Sequence, residues 1–92
     1  MRRNEWNEIL DRATEALAVV EHDRWAHWQR YLHSKGTLRK DGSLVLPATL
    51  VAQWQRQITT GYRDLSDQEK DSDREQVREY LRVLEAILVR DD

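Results

Sequence analysis

The chain contains no cysteine and no phenylalanine, a single proline and only three glycines. Without cysteine, neither a disulfide framework nor a Cys-ligated zinc site is possible, and a reducing, cytoplasmic setting is the expectation. No stretch approaches eighteen consecutive apolar residues, and the opening MRRNEW has two arginines with no apolar run behind them. Neither a membrane span nor a secretory leader is therefore expected. With Gly36, Gly42 and Gly61 the only glycines, there is no phosphate-cradling glycine loop.

Several metal and catalytic chemistries are missing too. His22, His27 and His33 are spaced by five and six, which does not gather their rings on one helical face, and HExxH is absent. A calcium loop starting at Asp67 requires Gly at position 72 and Glu at 78, where Ser72 and Arg78 stand. No serine sits in a nucleophile motif. The expectation is a protein that is not an enzyme and carries neither metal nor cofactor.

What the chain does have is charge and large amphipathic rings: four Trp and three Tyr among 92 residues. Such rings suit a half-wet pocket as well as a core. Net charge is −2, with 9 basic against 7 acidic side chains in residues 1–61 and 6 against 10 in residues 62–92. That mild split, with no basic patch, argues against nucleic acid as a partner and suits two helices binding each other.

Ninety-two residues make one domain, 1–92, with one modest core. Residues 4–33 are predicted as one long helix or two in succession, with Asn4 as N-cap and Trp6, Leu10, Ala13, Leu17 and Val20 recurring at helical period. Gly36 is expected to close it as a left-handed cap. In residues 37–46 the pair Asp41-Gly42 signals a hairpin with a two-residue turn. Pro47 then opens a shorter helix over 48–59, and Gly61 stops it. Ser66 and Glu69 fit a capping box, from which a last helix runs to about Val89 along Val77, Leu81, Leu84 and Leu88. The fold expected is mainly α: two long antiparallel helices, a shorter third helix and a small β-hairpin.

The apolar stripes of both long helices turn polar partway along. Traced backward from Leu88, the last helix arrives at Asp73, Arg74 and Lys70; traced forward from Trp6, the first arrives at Glu21 and Arg24. Antiparallel packing brings these charged halves together near Trp25, Trp28, Tyr31 and Tyr62. Two readings follow. One is a structural salt-bridge cluster, Glu21 with Arg74 and Asp73 with Arg24, which adds little net stability. The other is a ligand site in which Trp25, Trp28 and Tyr62 stack on a flat ring, Arg24, Lys70 and Arg74 meet an anion, and Glu21 and Asp73 orient those bases.

The same residues carry a family resemblance. E-H-D-R-W at 21–25, followed by Y-R-D-L-S-D-Q-E-K-D-S-D-R at 62–74, resembles the RyR domain, the repeat of ryanodine receptors that also occurs in small bacterial and phage proteins. Glu21, Arg24, Trp25, Tyr62, Leu65, Lys70, Asp73 and Arg74 match its pattern, and the resemblance covers roughly residues 16–85. His27, Trp28, Tyr31, Leu32, Trp54, Gln57, Thr60 and Tyr62 are similar to the short phage-type members. The hairpin and SLVLPATL replace the His-Pro-x-Leu segment of the receptor repeats, so loop contacts of the receptors do not carry over. The resemblance implies a non-enzymatic module that binds a small nucleotide-like molecule, and by extension sequesters a nucleotide signal. The alternative is a protein-interaction module acting through helical oligomerisation by Trp6, Trp54 and an edge formed by Val83 and Ile87, with the charged cluster as scaffolding only.

Overall fold

A computed structural model describes residues 2–90. Helix α1 spans Arg3–Lys35, a two-stranded antiparallel hairpin follows as β1 (Thr37–Leu38) and β2 (Leu44–Val45), and then come α2 (Ala48–Thr59), a 3₁₀ turn at Tyr62–Asp64 and α3 (Asp67–Arg90). The mainly helical architecture expected from the sequence is the one observed. Among the described residues no helix is long and apolar enough to cross a membrane.

The first helix is unbroken over 33 residues, since nothing between Arg3 and Lys35 is proline or glycine. At 1.5 Å per residue it is about 50 Å long, and it sets the 55 Å long axis of the molecule. It begins slightly earlier than the sequence suggests. Arg2 occupies the cap position, its carbonyl accepting from the Glu5 and Trp6 amides, and Asn4 lies inside the first turn with its side chain accepting from the Glu5 amide.

α3 runs back along α1. Tyr80 reaches Glu21, while Ile87 lies against the segment from Asp11 to Val19. The seam is built on α1 from Ile9, Ala13, Ala16 and Val20, of which Ile9 (6% exposed) and Ala13 (4%) are buried. Small residues at 13 and 16 let the helices approach closely. From Gln76 onward the half-buried positions of α3 are Gln76, Tyr80, Val83, Leu84 and Ile87. Hence Val83 and Ile87, read from the sequence as an outer edge, face the first helix. Leu81 and Leu88, from the stripe taken as inward, are exposed.

Two turn expectations are corrected. Gly36 caps α1 in extended, not left-handed, backbone (φ −88, ψ 159). Its glycine suits a close approach: a Cβ there would lie 3.2 Å from Leu44 Cδ2 and 3.3 Å from Leu44 Cβ, so that Leu44 would have to give way by a few tenths of an ångström. The hairpin loop has three residues, not two. Arg39 and Ser43 pair (2.8 Å), the Gly42 amide donates to the Arg39 carbonyl (3.0 Å), and Gly42 takes φ +90, the arrangement of a turn followed by a glycine bulge. Asp41 closes the loop by accepting from the Ser43 amide and hydroxyl at 2.9 and 2.6 Å. Gly42→Ala should cost about 1 kcal/mol of stability through its positive φ alone, as there is open space around it; chemical denaturation measures this directly.

The Ser66–Glu69 box forms as expected. The Glu69 amide donates to Ser66 Oγ and the Ser66 amide to Glu69 Oε1, both at 3.2 Å. Glu69 does more than cap. Its other oxygen accepts from Gln57 Nε2 at 2.8 Å and lies 3.5 Å from the Arg56 guanidinium, tying α2 to the start of α3.

Candidate functional site

Where α1, α2 and the first half of α3 converge they enclose an open cleft of about 870 Å³. α1 contributes Arg24, His27, Trp28 and Tyr31, spaced three to four apart on one helical face. From α2 come Gln53, Trp54 and Gln57, and α3 adds Glu69, Asp73, Gln76, Val77 and Tyr80, with Leu65 closing the connection. Trp28 is the hub of the aromatic wall, stacked on Tyr31 (centroids 5.4 Å, 24°) and meeting Trp54 edge-on (5.8 Å, 67°). A wall of this kind leaves ring surface half-exposed beside polar groups.

Three of the eight residues singled out from the sequence line this cleft: Arg24, Trp28 and Asp73. Glu21 stands beside it. Its carboxylate takes the Nε of Arg24 at 3.1 Å and the hydroxyl of Tyr80. Three others gather where the 3₁₀ turn leads into α3. Lys70 Nζ sits 5.8 Å from the Tyr62 ring centroid, and Arg74 lies in the electrostatic reach of Tyr62. Trp25 is apart from both groups, 54% exposed and stacked on His22.

The cross-helix ion pairs do not form. Glu21 is engaged by Arg24 of its own helix, and Arg74 by Asp71 at 2.8 Å, one turn away. Intrahelical partners three residues apart are within reach at every moment of folding, and these exposed side chains reach them without desolvation. Lys70 is half-buried, whereas Arg74 and Asp73 stay largely exposed.

Sequence reasoning from periodicity passed over Glu69, Gln76 and Tyr80. Their signal was present: 69, 73, 76, 80, 83 and 87 form a stripe of alternating fours and threes. It lies one position behind the stripe through 70, 74, 77, 81, 84 and 88. His27, Tyr31, Trp54 and Gln57, in contrast, all appear among the matches to the phage-type pattern.

The electrostatics concentrate in two carboxylates. Hydrogen bonds from Arg24, then from Tyr80, hold Glu21 well below its ordinary 4.5, at about 2. Bonds from Ser66, then from Gln57, bring Glu69 to about 2 as well. Both pKa values are depressed by folding, so both groups stabilise the fold above their unfolded value and cease to do so as pH falls through the folded one. Thermal midpoints should therefore fall between about pH 4.5 and about 2. In the Glu21→Gln, Glu69→Gln double variant this acid limb should flatten; a limb of unchanged slope would place its origin in other carboxylates.

A second, shallower groove of about 600 Å³ lies toward the other end of the helix pair, among Asp11, Arg12, Glu15, Ala16, Val19 and Ile87. It has no ring to stack on, and we assign the candidate site to the aromatic cleft. Among the described residues no group of His, Asp or Glu is arranged to hold a metal ion. No protein-family model, curated protein or solved structure matches the chain.

Proposed function

We propose that this chain is a non-enzymatic binding module that takes a small, flat, anionic molecule of the nucleotide type into the cleft between α1, α2 and α3. One observation carries the reading: Trp28, Tyr31 and Trp54 form a half-open aromatic wall with Arg24 and Asp73 on its border, in a volume suited to a small ligand. A base or similar ring inserts against Trp28 or Trp54. Arg24 offers the guanidinium N–H groups that Glu21 leaves over, and Asp73 accepts from an exocyclic amino group or ribose hydroxyl. Tyr62, Lys70 and Arg74 extend the same ring-plus-cation chemistry outside the cleft.

The resemblance to RyR-type modules supports the ligand class, because five of the phage-type pattern's positions line the cleft, His27, Trp28, Tyr31, Trp54 and Gln57, and Leu65 of the general family pattern joins them. Sequestration of a nucleotide signal inside a bacterial or phage-infected cell is the corresponding role.

The test is thermal unfolding against adenine, guanine, cyclic-dinucleotide and ADP-ribose-type nucleotides. A ligand at one hundred times its Kd stabilises by about 2.7 kcal/mol. At roughly 4–8 °C per kcal/mol for a domain of this size, the midpoint rises by more than 10 °C. Trp28→Ala should abolish the shift and Arg24→Gln should reduce it. Arg74→Ala separates the sites: it leaves the shift unchanged if the ligand occupies only the cleft, and lowers it if the outer cations contribute. A flat panel sinks the proposal.

A further inference from the structure

For its mass the chain leaves far too much surface exposed. A folded monomer of 11.0 kDa exposes about 5,600 Å², whereas this one exposes 7903 Å², roughly 2,300 Å² more. Its radius of gyration, 18.3 Å, also exceeds the ~12 Å of a compact domain of this length.

Five of the exposed large apolar side chains, Trp6, Leu10, Val77, Leu81 and Leu88, share one side of the α1–α3 pair. On α3 the stripe Leu81 (55% exposed), Leu88 (45%), which Val77 (50%) joins at the margin of the cleft, is rotated about 100° from the seam at Tyr80, Val83 and Ile87. On α1 Leu10 (58%) and Trp6 are displaced from the Ile9 and Ala13 seam in the same rotational sense. Because the helices are antiparallel, equal rotations turn both stripes to the same side of the pair. The result is a continuous two-helix apolar face.

We propose that this face is covered by a second copy of the same chain, related by a two-fold axis near Leu81, so that two α1–α3 pairs close into a four-helix bundle. The area fits. Covering half of the excess on each chain buries about 2,300 Å² in total, within the range of obligate homodimers. Charge selects the antiparallel arrangement. Arg78 and Glu85 stand one heptad apart on the outer edge of the stripe, and among the described residues neither has an ion-pair or hydrogen-bond partner in its own chain. Antiparallel self-pairing of α3 about Leu81 sets like edge against like edge, so Arg78 of each copy faces Glu85 of the other, twice. A two-fold interface of this kind is closed and self-complementary.

The absence of cysteine makes the test clean. Light scattering should give twice the 11.0 kDa chain mass. A single Leu81→Cys substitution, next to the axis, should yield a disulfide-linked dimer under oxidised glutathione. Val19→Cys, equally exposed but on the opposite side of the helix pair, should not. Arg78→Glu should weaken the dimer about tenfold or more by opposing like charges, and Arg78→Glu with Glu85→Arg should restore it. A monomer at every concentration, a mass above the dimer, or equal crosslinking at both positions would overturn the proposal. Failure here leaves the cleft reading intact, because ligand shifts are measured independently of mass.

Discussion

Ala13→Asp should leave the chain unfolded at neutral pH. Ala13 is the most buried side chain described, 4% exposed, and lies at the centre of the α1–α3 seam beside Ile9. Among the described residues a carboxylate there meets no cation within the seam, whose α3 side consists of Tyr80, Val83, Leu84 and Ile87. Burying an unpaired charge costs several kcal/mol, and the larger side chain also forces apart helices that meet at a small residue. Set against a total stability of about 5–14 kcal/mol for a domain of this length, and with so small a buried core, that is most or all of the margin. The control is Val19→Asp, a position 62% exposed on the same helix. Far-UV circular dichroism should show helix lost in the first variant and retained in the second. A cooperative, wild-type-like melt for Ala13→Asp would mean that the seam is not the core.

The fold class was legible because its punctuation is strong. An uninterrupted α1, the Ser66–Glu69 box and the Asp41-Gly42 signal each depend on contacts within a few residues, and local chemistry determines them. Errors arose where a residue's reason lay farther off. Gly36 reads as a left-handed cap because glycine usually is one after a helix, yet its backbone is extended and its close neighbour is Leu44, eight residues later, which a Cβ would crowd. The two-residue hairpin missed that Asp41 binds Ser43, which places the pairing at Arg39–Ser43 and adds one residue to the loop.

The site was only half legible, for a related reason. Hydrophobicity selected Val77, Leu81, Leu84 and Leu88 as the inward face of α3, and traced it back onto Lys70 and Arg74. The intramolecular seam instead uses the neighbouring stripe, which is apolar at Val83 and Ile87 and becomes Tyr80, Gln76, Asp73 and Glu69 as it enters the cleft. Periodicity alone does not choose between adjacent stripes when both are apolar at one end. A helix with two apolar edges faces two neighbours, and only one of them belongs to this chain's own seam. The placement of the candidate residues follows: Arg24, Trp28 and Asp73 line the cleft, while Lys70 and Arg74 lie on the other stripe with Tyr62 of the 3₁₀ turn beside them, and Trp25 lies apart.

Trp54→Ala should remove both the cleft and the ordered position of α2. That helix is 12 residues long, short enough to be marginal without tertiary support. Its half-buried face is Leu50, Trp54 and Gln57, with Ile58 and Val51 exposed, so its main attachments are the Trp54–Trp28 contact and the Gln57–Glu69 hydrogen bond. Truncating a fully buried Trp costs about 3–5 kcal/mol; for this half-buried one we expect about 2 kcal/mol, or roughly 8–16 °C in the thermal midpoint. The loss should be local before it is global. Amide exchange across 48–59 should accelerate while exchange at the α1–α3 seam changes much less, because Ile9, Ala13, Val83 and Ile87 make no use of α2. Nucleotide-induced stabilisation should vanish in the same variant. Trp54→Phe, which keeps an aromatic edge against Trp28, should recover most of the protection and part of the ligand response. If instead Trp54→Ala protects α2 as the parent does, the helix is held by Glu69 alone, and the aromatic wall is incidental to the cleft's architecture.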